Sequence, residues 1–408
     1  MRLRRSLGAL EERPFRLLWL GQTTSRLGDA LTGVALAFAV LGIGGSASEL
    51  GFVLSAFLAA RAGFILFGGV WADRLPRRAV MLACDVIRMV VQGAIALALL
   101  TDAMEIWMFV VGAAVAGAAT AFFGPASTGL VPQTVSADRL QQANSLLTFS
   151  QGMTEVLGPA LAGLLVAATE PGWVFAVDAT SYAASAVFLA LMPLARRDAP
   201  ARQRFLADLA DGMREAWSRG WMRAGFLLPA FGNLGIAPVL VLGPAIAQDE
   251  LGGAAAWGAI LTGGAIGGLL AGLVGLRLRP TRPILASFGL WTLGALPALA
   301  LLAPAPTAVI AVANAVFIFG VVLGNVFYET VVQREIPPER LSRVSSFDWA
   351  VSIVIMPIGL ALAGPVAEVI GRDATLVIGA VLVAGSASIG MTVPSVRSLR
   401  AAPESVVT

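Results

Sequence analysis

Apolar runs about 20 to 28 residues long recur from residue 16 to residue 394, broken only by short connections. They cover about 16–42, 48–71, 79–101, 104–131, 141–168, 172–194, 226–247, 254–276, 283–303, 306–332, 344–370 and 374–394. A helix needs about 20 apolar residues to cross a bilayer. A spanning strand needs about ten, with strict alternation, and these runs are too long and do not alternate. The spacing predicts an all-α integral membrane protein of twelve transmembrane helices, several of them tilted or curved. Composition agrees, because only 13% of residues are charged against about 25% in a soluble domain. The 45 glycines suit helices that pack backbone to backbone.

The chain has no histidine and one cysteine, Cys84. An intrachain disulfide, imidazole metal sites and Ser-His or Cys-His nucleophiles are therefore excluded. No cofactor, no metal and no enzymatic activity are expected. Every one of the 28 basic residues is arginine, and their placement alternates. The N-terminus and connections 72–78, 132–140, 195–225, 277–282, 333–343 and 397 onward are rich in arginine. Connections 43–47, 102–103, 169–171, 248–253, 304–305 and 371–373 hold only Arg372. The positive-inside rule puts both termini and the arginine-rich set in the cytoplasm of a multi-pass cell-membrane protein. The same alternation argues for a lipid partner and against nucleic acid.

Connection 195–225 carries Phe205, Leu209, Met213, Ala216 and Trp217 at helical spacing, which fits an amphipathic helix on the inner membrane face or a polar linker. It divides the chain into expected bundles at 1–196 and 223–408, joined by linker 197–222. The halves resemble each other. "DRLQQANSLLTFSQGMTEVLGPALAG" and "ERLSRVSSFDWAVSIVIMPIGLALAG" align Arg139 with Arg340, Ser145 with Ser346, Gly158 with Gly359 and Gly163 with Gly364. Both copies start on the cytoplasmic side, so the repeats are parallel, one of the plans of secondary transporters.

"GGVWADRLPRRAV" lies between the second and third spans. Gly69, Asp73, Arg74, Pro76, Arg77 and Arg78 match motif A of the major facilitator superfamily, which the whole chain resembles. "FRLLWLGQTTSRLGDAL", "FFGPASTGLVPQTV", "ANSLLTFSQG" and "VFAVDATSYAASAVF" are similar to its drug:proton antiporter branch with macrolide efflux proteins and enterobactin exporters. The resemblance implies a monomeric secondary transporter that exports a small amphipathic compound by proton antiport. A siderophore or lipid exporter, a solute uptake carrier and a transporter-like receptor remain alternatives. It also implies that motif A latches one conformation, with Asp73 facing the start of span eleven. Asp85, Arg88 and Asp348, near the cytoplasmic ends of their spans, are read as latch partners. "GPALAG" at 158–163 resembles the core of the antiporter motif C. Span four departs from the family by lacking the arginine of motif B.

Ionisable residues inside spans are costly and point to function. Gln22, Arg26, Asp29 and Gly33 form one stripe of span one. Asp29 lies about 21 Å along that span and Arg61 a similar depth along span two, so Arg26, Asp29 and Arg61 are expected to form a charge network. Span five carries Gln141, Ser145, Thr148, Gly152 and Glu155 on one stripe, and the repeat partner of Glu155 is Met356. Glu155 has no arginine on its stripe and is the first candidate for proton coupling, with Asp29 the second. Gln22, Asn233, Asn314, Asn325 and Glu329 are candidates for contact with substrate.

Overall fold

The computed structural model describes residues 8–72, 75–193, 214, 217–302 and 305–400, with side chains for all of these except 65–72, 338–343 and 345–353. Twelve helices run through it: α1 Arg13–Gly42, α2 Ala47–Ala72, α3 Arg77–Leu100, α4 Ile106–Leu130, α5 Leu140–Ala168, α6 Pro171–Ala190, α7 Gly220–Ile246, α8 Ala254–Gly275, α9 Pro283–Leu302, α10 Thr307–Glu335, α11 Pro338–Ile370 and α12 Arg372–Thr392. Eleven are long and apolar enough to cross a membrane, and α11 adds the apolar segment Val354–Ile370. No strand occurs among the described residues. The expected inner-face helix of 195–225 falls mostly outside them.

Local chemistry sets the helix boundaries. Proline stands at or just before the start of several helices: Pro14, Pro76, Pro171, Pro283, Pro306 and Pro338. Its fixed φ suits a first turn, where its missing N–H costs nothing. Gly371, at φ 88°, turns the chain from α11 into α12. The middle of α9, Thr292–Ala295, tightens into a 3-10 turn.

The contacts divide the chain into two units. The first is Met1–Gln203 with Ala247–Thr262, and the second is Arg204–Ile246 with Gly263–Thr408. The first is therefore larger than residues 1–196, because it includes the start of α8. In that unit Phe15, Leu18, Met81, Leu130, Leu147, Leu189 and Met192 share one core at one end of the bundle. In the second, Trp221, Phe226, Ile284, Phe288, Val331, Val344 and Ala387 do the same. Each core gathers the starts of the first, third and fifth helices of its unit and the ends of the fourth and sixth. That is the parallel repeat expressed in packing.

Glycine sets the closest approaches. In the first unit Gly117 of α4 lies on the Phe57 carbonyl of α2, and Gly158 of α5 lies on Ala30 of α1. In the second, Gly263 and Gly267 of α8 lie on the backbone at Ala311 and Ala315 of α10. Small residues one turn apart let backbones meet where lipid gives no hydrophobic drive for association. The helix faces are reversed relative to a soluble protein. On α3, Val86, Val90 and Leu97 are exposed while Asp85, Arg88 and Gln92 are buried.

Candidate functional site

The first unit holds a polar centre built by α1, α3 and α6. Asp85 and Arg88, one turn apart on α3, are 0% and 4% exposed. Arg88 Nη2 donates to Asp85 Oδ1 at 2.7 Å, and Ser185 Oγ of α6 donates to Asp85 Oδ2 at 2.6 Å. The guanidinium lies between two rings, 4.4 Å from the centroid of Phe123 on α4 and 4.5 Å from that of Tyr182 on α6. Arg88 Nε makes no hydrogen bond, and the π faces take the place of a polar partner. The Tyr182 hydroxyl donates to Asp29 Oδ1 on α1.

One turn away on α6 stands Asp178, 0% exposed. Thr32 Oγ1 of α1 and Gln92 Nε2 of α3 donate to its Oδ2 at 2.8 and 2.6 Å. Gly28 allows this approach, because a Cβ there would overlap the Asp178 carboxylate and the Ser181 hydroxyl. Gly21, seven residues earlier, meets Ser185 in the same way. The α1–α6 seam is thus a row of glycines facing a row of short polar side chains.

Beside this centre lies an open polar face. Asp29 is exposed apart from its bond to Tyr182, and Gly33 has open space beside it. Glu155 of α5 is exposed and accepts a hydrogen bond from Gln151 Nε2 at 2.9 Å. Arg26 donates to the Leu147 carbonyl of α5 at 3.3 Å, and Asp29 and Glu155 are the carboxylates whose attraction it feels. One cation is therefore within electrostatic reach of two open carboxylates.

These positions revise several expectations. Asp29 meets Tyr182 and Arg26, whereas Arg61 takes no part in that network. The reason is packing: α2 runs along α4 through Gly117 and touches α1 little. Glu155 does have an arginine near it, supplied by α1. Asp85 and Arg88, read as latch partners, are consumed inside the bundle by each other, Ser185, Tyr182 and Phe123. In motif A, Arg77 donates to the Gly129 carbonyl at the end of α4, and Arg78 to the carbonyls of Ala190 and Met192 at the end of α6. Both arginines meet backbone carbonyls at the negative ends of neighbouring helices. Asp73 and Arg74 lie outside the described residues, as do the side chains at Gly69 and Asp348.

The substrate candidates separate into two kinds. Gln22 is buried and donates to Ser127 Oγ of α4 at 2.8 Å. Asn314 is buried against Gly264 of α8. Both contact a neighbouring helix. Asn325 and Glu329 lie one turn apart on an exposed face of α10, and Asn233 is half-buried on α7. From sequence, Asp178 reads as an outer-end residue in reach of water, whereas it is fully buried, and Tyr182 was not singled out. Their signal was present: Asp178, Ser181, Tyr182 and Ser185 fall at i, i+3, i+4 and i+7, one helix face.

The sequence pattern that defines the Major Facilitator Superfamily matches residues 18–352. Macrolide efflux protein A of Streptococcus pyogenes is 25% identical over 94% of this chain and 97% of its own length. The multidrug efflux pump Tap of Mycobacterium tuberculosis is 26% identical over 96% of both chains. Among solved structures, the nucleoside transporter NupG superposes with a TM-score of 0.74 over 93% of this chain and 98% of its own, at 15% identity. A bacterial homolog of the human lysosomal transporter Spinster, inward-facing and unoccupied, gives 0.69 over 96% and 98%, also at 15% identity.

Proposed function

The chain belongs to the Major Facilitator Superfamily, and from that premise we propose that it is an efflux pump for small amphipathic, drug-like compounds, driven by proton entry. It is a multi-pass membrane transporter and not an enzyme. The names of its relatives support drug efflux over the other export and uptake readings. The observation that carries proton coupling is an open face with two exposed carboxylates, Asp29 and Glu155, within electrostatic reach of the one guanidinium of Arg26. One guanidinium offsets one carboxylate, and the other calls for a cation. Outside, a proton fills that need. Inside, substrate entering the face displaces the proton, and Glu155 is the group that releases it. Asp29 is held by Tyr182 and Arg26 as the fixed member. Asn233, Asn325 and Glu329 offer polar contacts to substrate from the second unit. Motif A, through Gly69, Asp73 and Arg74 with Asp348, latches one state of the alternating-access cycle, and the pump works as a monomer.

Efflux is tested by comparing accumulation of a panel of macrolides and other amphipathic compounds in cells with and without the protein. Lower accumulation of at least one class in producing cells is expected. Equal accumulation of every compound counts against export.

Orientation has its own test. Both termini and the 197–222 linker are placed in the cytoplasm, and the α7–α8 turn outside. With Cys84 replaced by serine, single cysteines are introduced as Ala201→Cys and Asp249→Cys. An impermeant thiol reagent on intact cells should label Asp249→Cys alone. Labelling of Ala201→Cys from outside would reverse the topology.

A further inference from the structure

We propose that Asp178 is a second proton-binding site of the first unit, apart from the open face, and that its proton is exchanged during transport. The inference rests on the proton-antiport reading above. Four features of the geometry support it.

Asp178 is fully buried between α1, α3 and α6, and among the described residues no arginine pairs with it. The charged and titratable groups around it are accounted for. From α1, Asp29 stands one turn from Thr32, with Arg26 drawn to Asp29 and Glu155. From α3, Arg88 stands one turn from Gln92 but is bound to Asp85. On α6 itself, Tyr182 gives its hydrogen to Asp29. Glu155 is the carboxylate that α5 adds. Asp29 and Glu155 lie on the open face with Arg26, so the closed part of the region holds the carboxyls of Asp85 and Asp178 against the single guanidinium of Arg88. A surplus of negative charge inside a bilayer is costly, and protons remove it.

Hydrogen-bond bookkeeping places one of them. Ser181 has a single hydroxyl hydrogen, and its Oγ lies 2.7 Å from the Asp178 backbone carbonyl, within reach to donate there. Yet Ser181 Oγ also lies 3.2 Å from Asp178 Oδ1. That hydrogen can serve only one of the two oxygens; given to the nearer carbonyl, it leaves Ser181 an acceptor towards Oδ1, an arrangement that a protonated Oδ1 completes as donor. Oδ2 then accepts from Thr32 and Gln92. Every partner of Asp178 is neutral, which suits a neutral carboxylic acid.

The site is also built to open. Gly28 lets α1 lie directly on Asp178 and Ser181. Parting of α1 from α6 at that glycine breaks the Thr32–Asp178 and Tyr182–Asp29 bonds across the seam and exposes the carboxyl to water, where it takes up or releases one proton. A ligand that needs only a proton's volume fits a site with no free space around it.

The test uses purified full-length protein in vesicles, with an imposed pH gradient and the membrane potential clamped at zero. Each exchanged proton multiplies the steady-state accumulation ratio about tenfold per pH unit. Asp178→Asn keeps the shape and the hydrogen bonds of the neutral acid. It should lower the ratio about tenfold per pH unit while downhill exchange continues, because a purely structural defect slows rates and leaves the steady-state ratio alone. An unchanged ratio in Asp178→Asn, with a wild-type ratio that follows the gradient, overturns the Asp178 site only. A wild-type ratio indifferent to the gradient overturns proton antiport and this proposal with it. Should Asp178→Asn not fold, Thr32→Val removes one donor to Oδ2 and leaves the carboxyl in place. It should then shift the pH midpoint of uphill export, and an unshifted midpoint overturns the proposal.

Discussion

Glu155→Gln is expected to lower pH-driven accumulation of substrate about tenfold per pH unit while downhill exchange survives. Glutamine keeps the length of the side chain and its hydrogen bond with Gln151, but it cannot take up or lose a proton. On the open face Arg26 then faces Asp29 alone, a balanced pair that binds no further cation. Nothing on the open face remains to make substrate entry depend on proton release, so the gradient acts on substrate only through the proton of Asp178. The loss should be large: about tenfold in accumulation ratio per pH unit for each proton uncoupled. Asp29→Asn should behave differently. It weakens the bond from Tyr182 and leaves Arg26 to Glu155, so yield and substrate binding fall together with transport. Reconstituted vesicles with an imposed pH gradient separate the two variants. Wild-type accumulation by Glu155→Gln would remove Glu155 from the coupling step.

What could be read ahead of the structure follows a physical division. Helix number and length were legible, because the thickness of the bilayer imposes them on each span separately. The parallel repeat was legible because two copies of one pattern lie in one chain. Motif A could be located by its residues, but the work of Arg77 and Arg78 could not. Their partners are the carbonyls of Gly129, Ala190 and Met192, which carry no side-chain signature in sequence. The pairing of intramembrane charges was the least legible feature. Equal depth made Arg61 look like a partner for Asp29, whereas partnership depends on which helices touch. Glycines decide that here: Gly21 and Gly28 bring α1 onto α6, and Gly117 holds α2 on α4. Asp29 therefore meets Tyr182. Spacing within α6 could have shown that Asp178, Ser181, Tyr182 and Ser185 share a face, but not that this face was buried.

The buried pair on α3 gives the largest expected effect on stability. Asp85→Leu leaves the Arg88 guanidinium inside the bundle with two aromatic rings and no carboxylate. Removing one partner of a buried ion pair typically costs about 3–5 kcal/mol, because the remaining charge is uncompensated. The rings recover only part of this, since cation–π contacts contribute about 2 kcal/mol when desolvated. Asp85→Leu combined with Arg88→Leu removes both charges and leaves apolar side chains of similar bulk. Ser185 then loses its acceptor, but its hydroxyl can turn to a carbonyl of its own helix, as Ser150 and Ser287 do. The double variant should therefore be more stable than Asp85→Leu alone, although it carries one more substitution. Cys84 supplies the readout. It is the only cysteine, it adjoins Asp85, and it is 4% exposed. A thiol-reactive dye reaches it only when the bundle opens. Labelling on heating should begin at a clearly lower temperature in Asp85→Leu than in wild type, and return most of the way in the double variant. If the double variant opens at or below the temperature of Asp85→Leu, the two side chains are not coupled through charge. The α3 face would then be held by packing against Phe123 and Tyr182, and the polar centre would not depend on its ion pair.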